Sequence, residues 1–153
     1  MAKSIGQQIK DAMAKKVVGR TTEIYKAVVL ELYKRITANS LQVGIAYGSP
    51  VLTGRYYASH TIARGCIDTT VRDPNPDGED NPYPGLPLTN AAAALVGFKL
   101  GETTYIANNL PYAQILEEGH SKFKVPEGIY GVAAEQVAQK LKGATKITLS
   151  GVK

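Results

Sequence analysis

Residues 105–122 read YIANNLPYAQILEEGHSK, and they combine a strand end, a turn, a short helix and a charged exit. The first three residues are rich in β-formers and are predicted to end a strand, whereas Asn108 and Asn109 tolerate turn conformations and bond to nearby backbone amides. Asn109 is predicted to cap a helix whose first turn holds Pro111, and Gly119 is predicted to end that helix. One face of the helix carries its apolar residues: Tyr112, Ile115 and Leu116. The stretch therefore predicts a rigid corner between a strand and a helix.

Two carboxylates of this stretch, Glu117 and Glu118, fall at the C-terminal end of the predicted helix. The helix macrodipole is negative at that end, so it disfavours two further negative charges. We therefore expect a cation to offset them. Arg55 is the candidate, either from the same chain or from a neighbouring subunit.

His120 follows these carboxylates, so the stretch also raises the question of metal binding or acid–base chemistry. The other histidine and the one cysteine of the chain, His60 and Cys66, lie at no spacing diagnostic of a metal site. The sequence contains no nucleophile elbow, no phosphate-binding glycine loop and no zinc motif. We therefore predict no enzymatic activity, no metal and no cofactor.

Length and charge set further bounds. A chain of 153 residues is predicted to form a single domain, 1–153, large enough to bury a core. The net charge of +5 favours contact with polyanions or acidic partners. Eight basic residues lie between positions 3 and 35, and five acidic residues lie between positions 68 and 80, an asymmetry that suits head-to-tail self-assembly as well as DNA contact. With one cysteine, no apolar run of about 18 residues and no signal-peptide core, we predict a soluble intracellular protein.

The N-terminal segment shows helical periodicity. Ser4 and Gln7 fit a capping box that opens a helix at about Ile5, giving an N-terminal helical extension over residues 1–20. Gly19 predicts a break or kink, after which Thr21 or Thr22 caps a second segment. Two apolar stripes result: Ile5, Ile9, Met13 and Val17, then Ile24, Val28, Leu32 and Ile36. We expect both stripes to face the core or to pack against a neighbour, the alternative being a membrane-surface or DNA-binding helix.

The remaining elements complete an α+β prediction. Residues 43–47 form a short strand or an extended linker, and 56–71 form one long strand or two, with a bend at Gly65. Asn90 or the threonine before it caps a short helix over 91–96, Gly101 turns the chain into the strand before Asn108, and an amphipathic helix follows at 129–141. The tail 143–153 is expected to be flexible or extended. We predict a long N-terminal helix and short helices packed on a twisted, mainly antiparallel β-sheet.

Residues 73–90 form a long proline-rich loop without periodicity, and loops of this length are usually functional or disordered. Part of the loop matches the first half of an EF-hand calcium site: Asp73, Asn75, Asp77 and Gly78. Position twelve is Pro84, where calcium needs a bidentate glutamate. We therefore predict a plain acidic loop.

Two separated blocks resemble a known family. The turn PVLTGR at 50–55 precedes by about fifty residues the block at 105–122, and together they resemble the neck and tail-completion proteins of long-tailed bacteriophages, the lambda minor tail protein Z-like, head-to-tail joining group. That family has a Pro-Val-Asp-Thr-Gly-Arg turn after a long helix, then Asn-Asn-x-Pro-Tyr-Ala ending in Glu-x-Gly-His-Ser, and Pro-x-Gly before a C-terminal helix. The resemblance spans roughly residues 20–142. Leu52 replaces the usual aspartate of the family.

The resemblance implies a virion structural protein that is assembled in the host cytoplasm and is not an enzyme. It implies a ring, commonly hexameric, that surrounds the DNA channel, completes the tail and joins it to the head connector. The implied partners are other copies of the chain, a tail terminator or tail tube protein, the head connector or stopper, and genomic DNA bound without sequence specificity, with no membrane involved. The motif positions carried over are Pro50, Thr53, Gly54, Arg55, Asn108, Asn109, Pro111, Tyr112, Glu117, Glu118, Gly119, His120 and Ser121.

Lys122 and Lys124 flank Phe123 and form a small basic loop. One aromatic between two lysines is short of the interleaved pattern of single-strand binders, and solvated loop charges are the default. In a ring, this loop faces the DNA channel or a partner. The alternatives for the chain as a whole are a tail terminator or minor tail protein, a basic nucleic-acid-binding module, and a metal-dependent hydrolase using Glu117 or His120.

Overall fold

The computed structural model describes residues 4–38, 55–71, 88–119 and 127–150. Within these ranges the helices and strands follow the order α1 (Ile5–Ile36), α2 (Arg55–Ala58), β1 (His60–Arg64), α3 (Leu88–Ala94), β2 (Thr104–Asn108), α4 (Ala113–Glu117) and α5 (Tyr130–Ser150). The predicted α+β class with a long N-terminal helix is confirmed. The predictions for residues 43–47, the turn at 49–54 and the proline-rich loop as far as 87, with its calcium-like half-motif, lie outside the described residues.

Helix α1 begins at the predicted cap, because the amide of Gln7 donates to Ser4 Oγ at 3.3 Å. The predicted break at Gly19 is wrong, since the helix continues through it to Ile36. Thr21 and Thr22 do not cap a second segment. Their hydroxyls donate to the carbonyl oxygens four residues earlier, at 2.9 and 2.8 Å. A single glycine costs only about 1 kcal/mol in a helix interior, and these threonine bonds are compatible with an uninterrupted helix.

The described sheet is one antiparallel pair, β1 with β2, in which Ile62 lies opposite Ile106. The prediction of a strand over 56–71 is partly wrong. Tyr56 and Tyr57 belong to α2, and β1 ends at Arg64 because the chain bends at Gly65, where φ is +76°. The predicted bend is thus confirmed, and the strand is shorter than expected.

The core lies where α1, α5 and the corner after β2 meet. Its buried cluster consists of Ile36, Tyr56, Leu110, Ile129 and Ala133. Polar contacts at the edge of the core tie α1 to α5: Arg35 donates to Gln136 Oε1 at 2.6 Å, and Lys140 donates to Glu31 Oε1 at 3.0 Å. The hydrogen bond from Lys140, opposed by desolvation and supported by the bond from Arg35, holds the pKa of the Glu31 carboxyl below its ordinary value. The two long helices are therefore fixed side by side.

Helix α3 begins at Leu88, so the predicted start at 91 and the cap at Thr89 or Asn90 are wrong, and the helix ends at Ala94. Beyond its end, the ring of Phe98 stacks on the ring of Tyr25 in α1, with centroids 4.3 Å apart. Gly101 has φ +99° and turns the chain toward β2 as expected. The predicted extended tail from Gly143 is wrong as far as Ser150, because α5 continues through Gly143. A single glycine costs only about 1 kcal/mol in a helix interior, and no proline follows it. Among the described residues, no helix combines the length and apolarity needed to cross a membrane.

Candidate functional site

The stretch that resembles the phage family forms a corner, consisting of β2, the turn after it and α4. Its two asparagines fasten the corner to other parts of the chain. Asn108 Nδ2 donates to the carbonyl oxygen of Tyr56 at 2.9 Å, and its Oδ1 accepts from the amide of Leu110 at 3.2 Å. Asn109 Nδ2 donates to the carbonyl oxygen of Asp68 at 3.0 Å. The corner is therefore anchored both to α2 and to the segment after β1.

The predicted cap of the short helix is wrong. Helix α4 begins at Ala113, and its cap position is Tyr112, whose side chain makes no capping bond. The side-chain amide of Asn109 donates to the distant carbonyl oxygen of Asp68 and does not cap the helix. A turn through Pro111 precedes the helix, and in it the backbone amide of Ala113 donates to the carbonyl oxygen of Leu110 at 2.9 Å. The predicted end is confirmed, since Gly119 follows α4 with φ +75°.

Glu117 joins the end of α4 to the start of α5. Its Oε2 accepts from the amides of Ile129 and Tyr130, each at 2.8 Å, and its Oε1 accepts from the amide of Gly131 at 2.8 Å. These amides belong to the first turn of α5, where donors are left without intrahelical partners and the dipole is positive. The expected offset for Glu117 is thus provided by a helix N-terminus. The pairing with Arg55 stays a prediction.

Gly128 makes this approach possible. Its φ is +83°, and a Cβ at this position would overlap the carbonyl oxygen of Glu117 and lie 3.2 Å from its carboxyl group. This role of Gly128 was not predicted from the sequence. A glycine just before a predicted helix is compatible with a positive φ and a close backbone approach, but it does not indicate which residue approaches.

A histidine–tyrosine pair is buried beside the corner. His60, at the start of β1, is fully buried, and its Nδ1 lies 2.7 Å from the hydroxyl of Tyr130 at the start of α5. The ring of Tyr56 meets the His60 ring edge-on at 5.1 Å. Burial lowers the pKa of His60 to about 3, and burial raises the pKa of both tyrosine phenols. The imidazole is therefore neutral at physiological pH and packs as part of the core.

This burial predicts a pH dependence of stability. The unfolded chain has a His60 pKa near the ordinary 6.5, so it takes up a proton that the folded chain excludes until about pH 3. Stability is fully present above pH 6.5 and is lost as the pH falls toward 3. Between pH 7 and 5.5 we expect a loss of about 1 kcal/mol from this group, measurable by urea unfolding at both values.

The control for this prediction is His60→Asn, whose amide does not titrate and can still bond to Tyr130. The variant is expected to be less stable throughout, with a smaller difference between the two pH values. Because His120 is unchanged in both proteins, its titration cancels in the comparison. An equal loss in both proteins would show that His60 is not the group responsible.

The predicted site residues are only partly brought together. Asn108, Asn109 and Glu117 lie in the corner, whereas Arg55 is exposed at the start of α2. Glu118 is exposed and accepts a bond from Gln114 Nε2 at 2.8 Å. Several predicted positions lie outside the described residues: Pro50, Thr53, Gly54, His120, Ser121, Lys122 and Lys124.

The chemical repertoire of the described corner is that of a structural joint. Its anionic group, Glu117, is bonded to three backbone amides, and the buried His60 has no route to a substrate in solvent. Within residues 4–38, 55–71, 88–119 and 127–150, no three histidine, cysteine or acidic side chains are grouped as metal ligands. The exposed part of the corner is the outer face of α4, where Tyr112 and Ile115 are open to solvent.

A second surface is more apolar than the corner. The first stripe of α1, expected to face the core or a neighbour, is exposed on the single chain. Its members are between 54% and 76% exposed: Ile5, Ile9, Met13 and Val17. Contiguous exposed apolar surface on a soluble chain marks an interaction site more often than scattered exposed residues do.

Comparison with known proteins adds no relative. No protein-family model matches the chain, and no curated protein and no solved structure matches it. The resemblance to phage neck proteins therefore rests on the two sequence blocks and stays a prediction.

Proposed function

We propose that this chain is a virion structural protein of the neck of a long-tailed bacteriophage. It forms a ring around the DNA channel, completes the tail and joins it to the head connector. The observation that carries the proposal is the exposed apolar stripe Ile5–Ile9–Met13–Val17, because the described part of the chain leaves this surface uncovered and assembly would bury it. The resemblance of residues 50–55 and 105–122 to neck proteins is the reason for proposing that this assembly belongs to the neck.

The corner contributes a rigid mount to this function. Asn108, Asn109 and Glu117 each bond to backbone groups of other segments, so the turn between β2 and α4 is fixed on several sides. On this fixed corner, Ile115 is about half exposed and Tyr112, whose ring lies beside that of Tyr56, is partly exposed, so the two provide a second contact face. A ring in a phage neck needs contacts with its own copies and with the layers above and below, and two separate apolar surfaces suit that requirement.

The positive charge of α1 suits the same location. Four cationic side chains are exposed along its first half: Lys10, Lys15, Lys16 and Arg20. Cations of this kind bind phosphates without reading base sequence. Genomic DNA passing through a channel presents phosphates to such cations, and acidic surfaces of neighbouring neck proteins present carboxylates to them.

Phage genetics tests the proposal directly. In a phage that encodes this chain, an amber mutation in its gene is expected to yield filled heads and full-length but uncompleted tails as separate particles in a non-suppressing host. Adding the purified protein to such a lysate is expected to restore joined, infectious particles. Normal yields of joined virions without the protein would overturn the proposal.

The same experiment separates the alternatives. Tails of uncontrolled length would identify a tail terminator in place of a joining protein. A basic nucleic-acid-binding module would leave morphogenesis intact, and the isolated protein would bind DNA with an affinity that falls steeply with salt.

A further inference from the structure

Helix α1 begins with an arm, residues 5–21, that stands away from the rest of the described chain. Every residue of the arm is exposed except Asp11, which is half-buried. At 1.5 Å per residue the arm is about 25 Å long. Most helical stability in proteins comes from packing of an amphipathic face, so a helical arm that is exposed on all sides is expected to gain stability from a partner. Its apolar side chains recur every four residues, which makes them one ridge on the helix surface.

A groove lies farther along the same helix, where α1 packs against α5. Its apolar walls are Ile24 and Val28 of α1 and Val137 and Leu141 of α5, and it encloses about 340 Å³. Ile24 and Leu141 are themselves exposed at the rim of the groove. The groove is thus an apolar depression that the described part of the chain leaves open.

We propose that the arm of one copy lies in the groove of a second copy of this chain. An exposed apolar ridge and an open apolar groove occur on the same described chain, and the presence of both on one sequence supports a second copy as the occupant. The arm cannot fill its own groove, because residues 5–21 and the Ile24–Val28 wall belong to one continuous helix. The contact is therefore heterologous, and repeated contacts of this type close into rings or extend into filaments. This inference rests on the proposed neck function, for which it supplies the contact between ring subunits.

The contact is expected to depend on apolar burial more than on ion pairs. Glu31 at the edge of the groove already accepts bonds from Arg35 and Lys140 of its own chain, at 3.1 and 3.0 Å. The arm cations therefore meet no unpaired charge at this acidic residue. Binding to an anionic lipid surface or to DNA would instead weaken steeply with salt, which separates those occupants from a second copy.

Site-specific crosslinking tests the placement, also for weak association. One chain carries M13C in the arm and the other carries L141C at the groove, both with C66S to remove the exposed native thiol. Under mild oxidation, the mixture is expected to give a 1:1 crosslinked dimer, and neither chain alone should crosslink. The matched control replaces M13C with K15C, which lies two residues away on the other side of the helix, and is expected to give only background.

A charge-insertion variant tests the energetics in the otherwise unchanged protein. M13E is expected to weaken self-association by at least about tenfold in sedimentation analysis, because the added carboxylate would have to be buried in the groove. K15E, on the other side, is expected to have a smaller effect at moderate salt. Because Met13 is exposed in the single chain, both variants should keep the thermal unfolding of the wild type at protein concentrations where the wild type is a monomer.

Four outcomes overturn the proposal: no M13C–L141C crosslink at any protein concentration, crosslinking of M13C to itself, association that M13E leaves unchanged, or salt-sensitive binding to anionic vesicles that requires the arm. The head–tail joining assay separates this inference from the neck function. If M13E restores joining as well as wild type and the crosslink fails, the arm contact is wrong and the neck function stands. If the crosslink forms but wild type does not restore joining, the neck function is wrong and the arm contact stands.

Discussion

Gly128→Ala is expected to lower the free energy of unfolding by about 3 kcal/mol, because two independent costs meet at this residue. A φ of +83° costs a residue with a Cβ about 1–2 kcal/mol relative to glycine. The new Cβ would also overlap the carbonyl oxygen of Glu117, and overpacking of this kind typically costs about 1–3 kcal/mol. The atom in the way is backbone, so the clash is relieved only by moving α4 away from α5.

Gly65→Ala is the matched control for this prediction. Gly65 has a similar φ of +76°, but a Cβ there would meet nothing within 4 Å. Gly65→Ala is therefore expected to lower the free energy of unfolding by the cost of the positive φ alone, about 1 kcal/mol. Urea unfolding of the two variants beside wild type measures the difference. Equal losses for both would show that the close approach of Glu117 to Gly128 contributes nothing to stability.

The parts of the fold that could be predicted are those decided by neighbouring residues. The cap at Ser4, the end of β2 at Asn108 and the stop at Gly119 each follow from a local preference, and each is observed. The break at Gly19 failed for a related reason. A local preference of about 1 kcal/mol is outweighed when the helix on both sides is intact.

The parts that could not be predicted depend on contacts distant in sequence. Tyr56 is β-forming by type, yet it lies in α2, where its ring packs into the core and against His60. The partners of Glu117 begin twelve residues later at Ile129, so no local pattern at the α4 terminus indicates them. The expectation of a cation used the right electrostatic premise, since Glu117 did need positive potential. The source of that potential, for Glu117, is the N-terminus of α5.

The exposure of the N-terminal stripe also could not be predicted from the sequence. A spacing of four residues between Ile5, Ile9, Met13 and Val17 shows that they share a face, whatever covers that face. Whether the core of the same chain covers that face depends on how far the other helices and strands extend along α1. The packed contacts of α1 begin beyond the arm, at Tyr25 with Phe98 and at Glu31 with Lys140.

Glu117→Ala is expected to destabilise the protein by about 2–3 kcal/mol, which would make it the most sensitive of the acidic side chains in the corner. The substitution leaves three amides of the first turn of α5 without their acceptor. Hydrogen bonds to a charged group contribute about 1.5–3 kcal/mol each, but bonds that share one carboxylate do not add, and water can replace part of them. Loss of a helix cap alone typically costs about 1 kcal/mol.

Two further variants test whether the loss in Glu117→Ala comes from its hydrogen bonds to α5 or from the removal of a negative charge near the end of α4. Glu117→Gln keeps one oxygen acceptor but places an amide donor against backbone donors, so it is expected to lose more than half of the alanine effect. Glu118→Ala removes an exposed carboxylate whose bond to Gln114 is an i,i+4 surface pair, and it is expected to cost less than about 1 kcal/mol. Urea unfolding at pH 7 ranks the three variants. A Glu118→Ala loss as large as that of Glu117→Ala would mean that general charge at the end of α4, and not the bridge to α5, stabilises the corner. The ranking with Glu117→Ala well ahead would instead identify this one carboxylate as the joint that holds the two helices together.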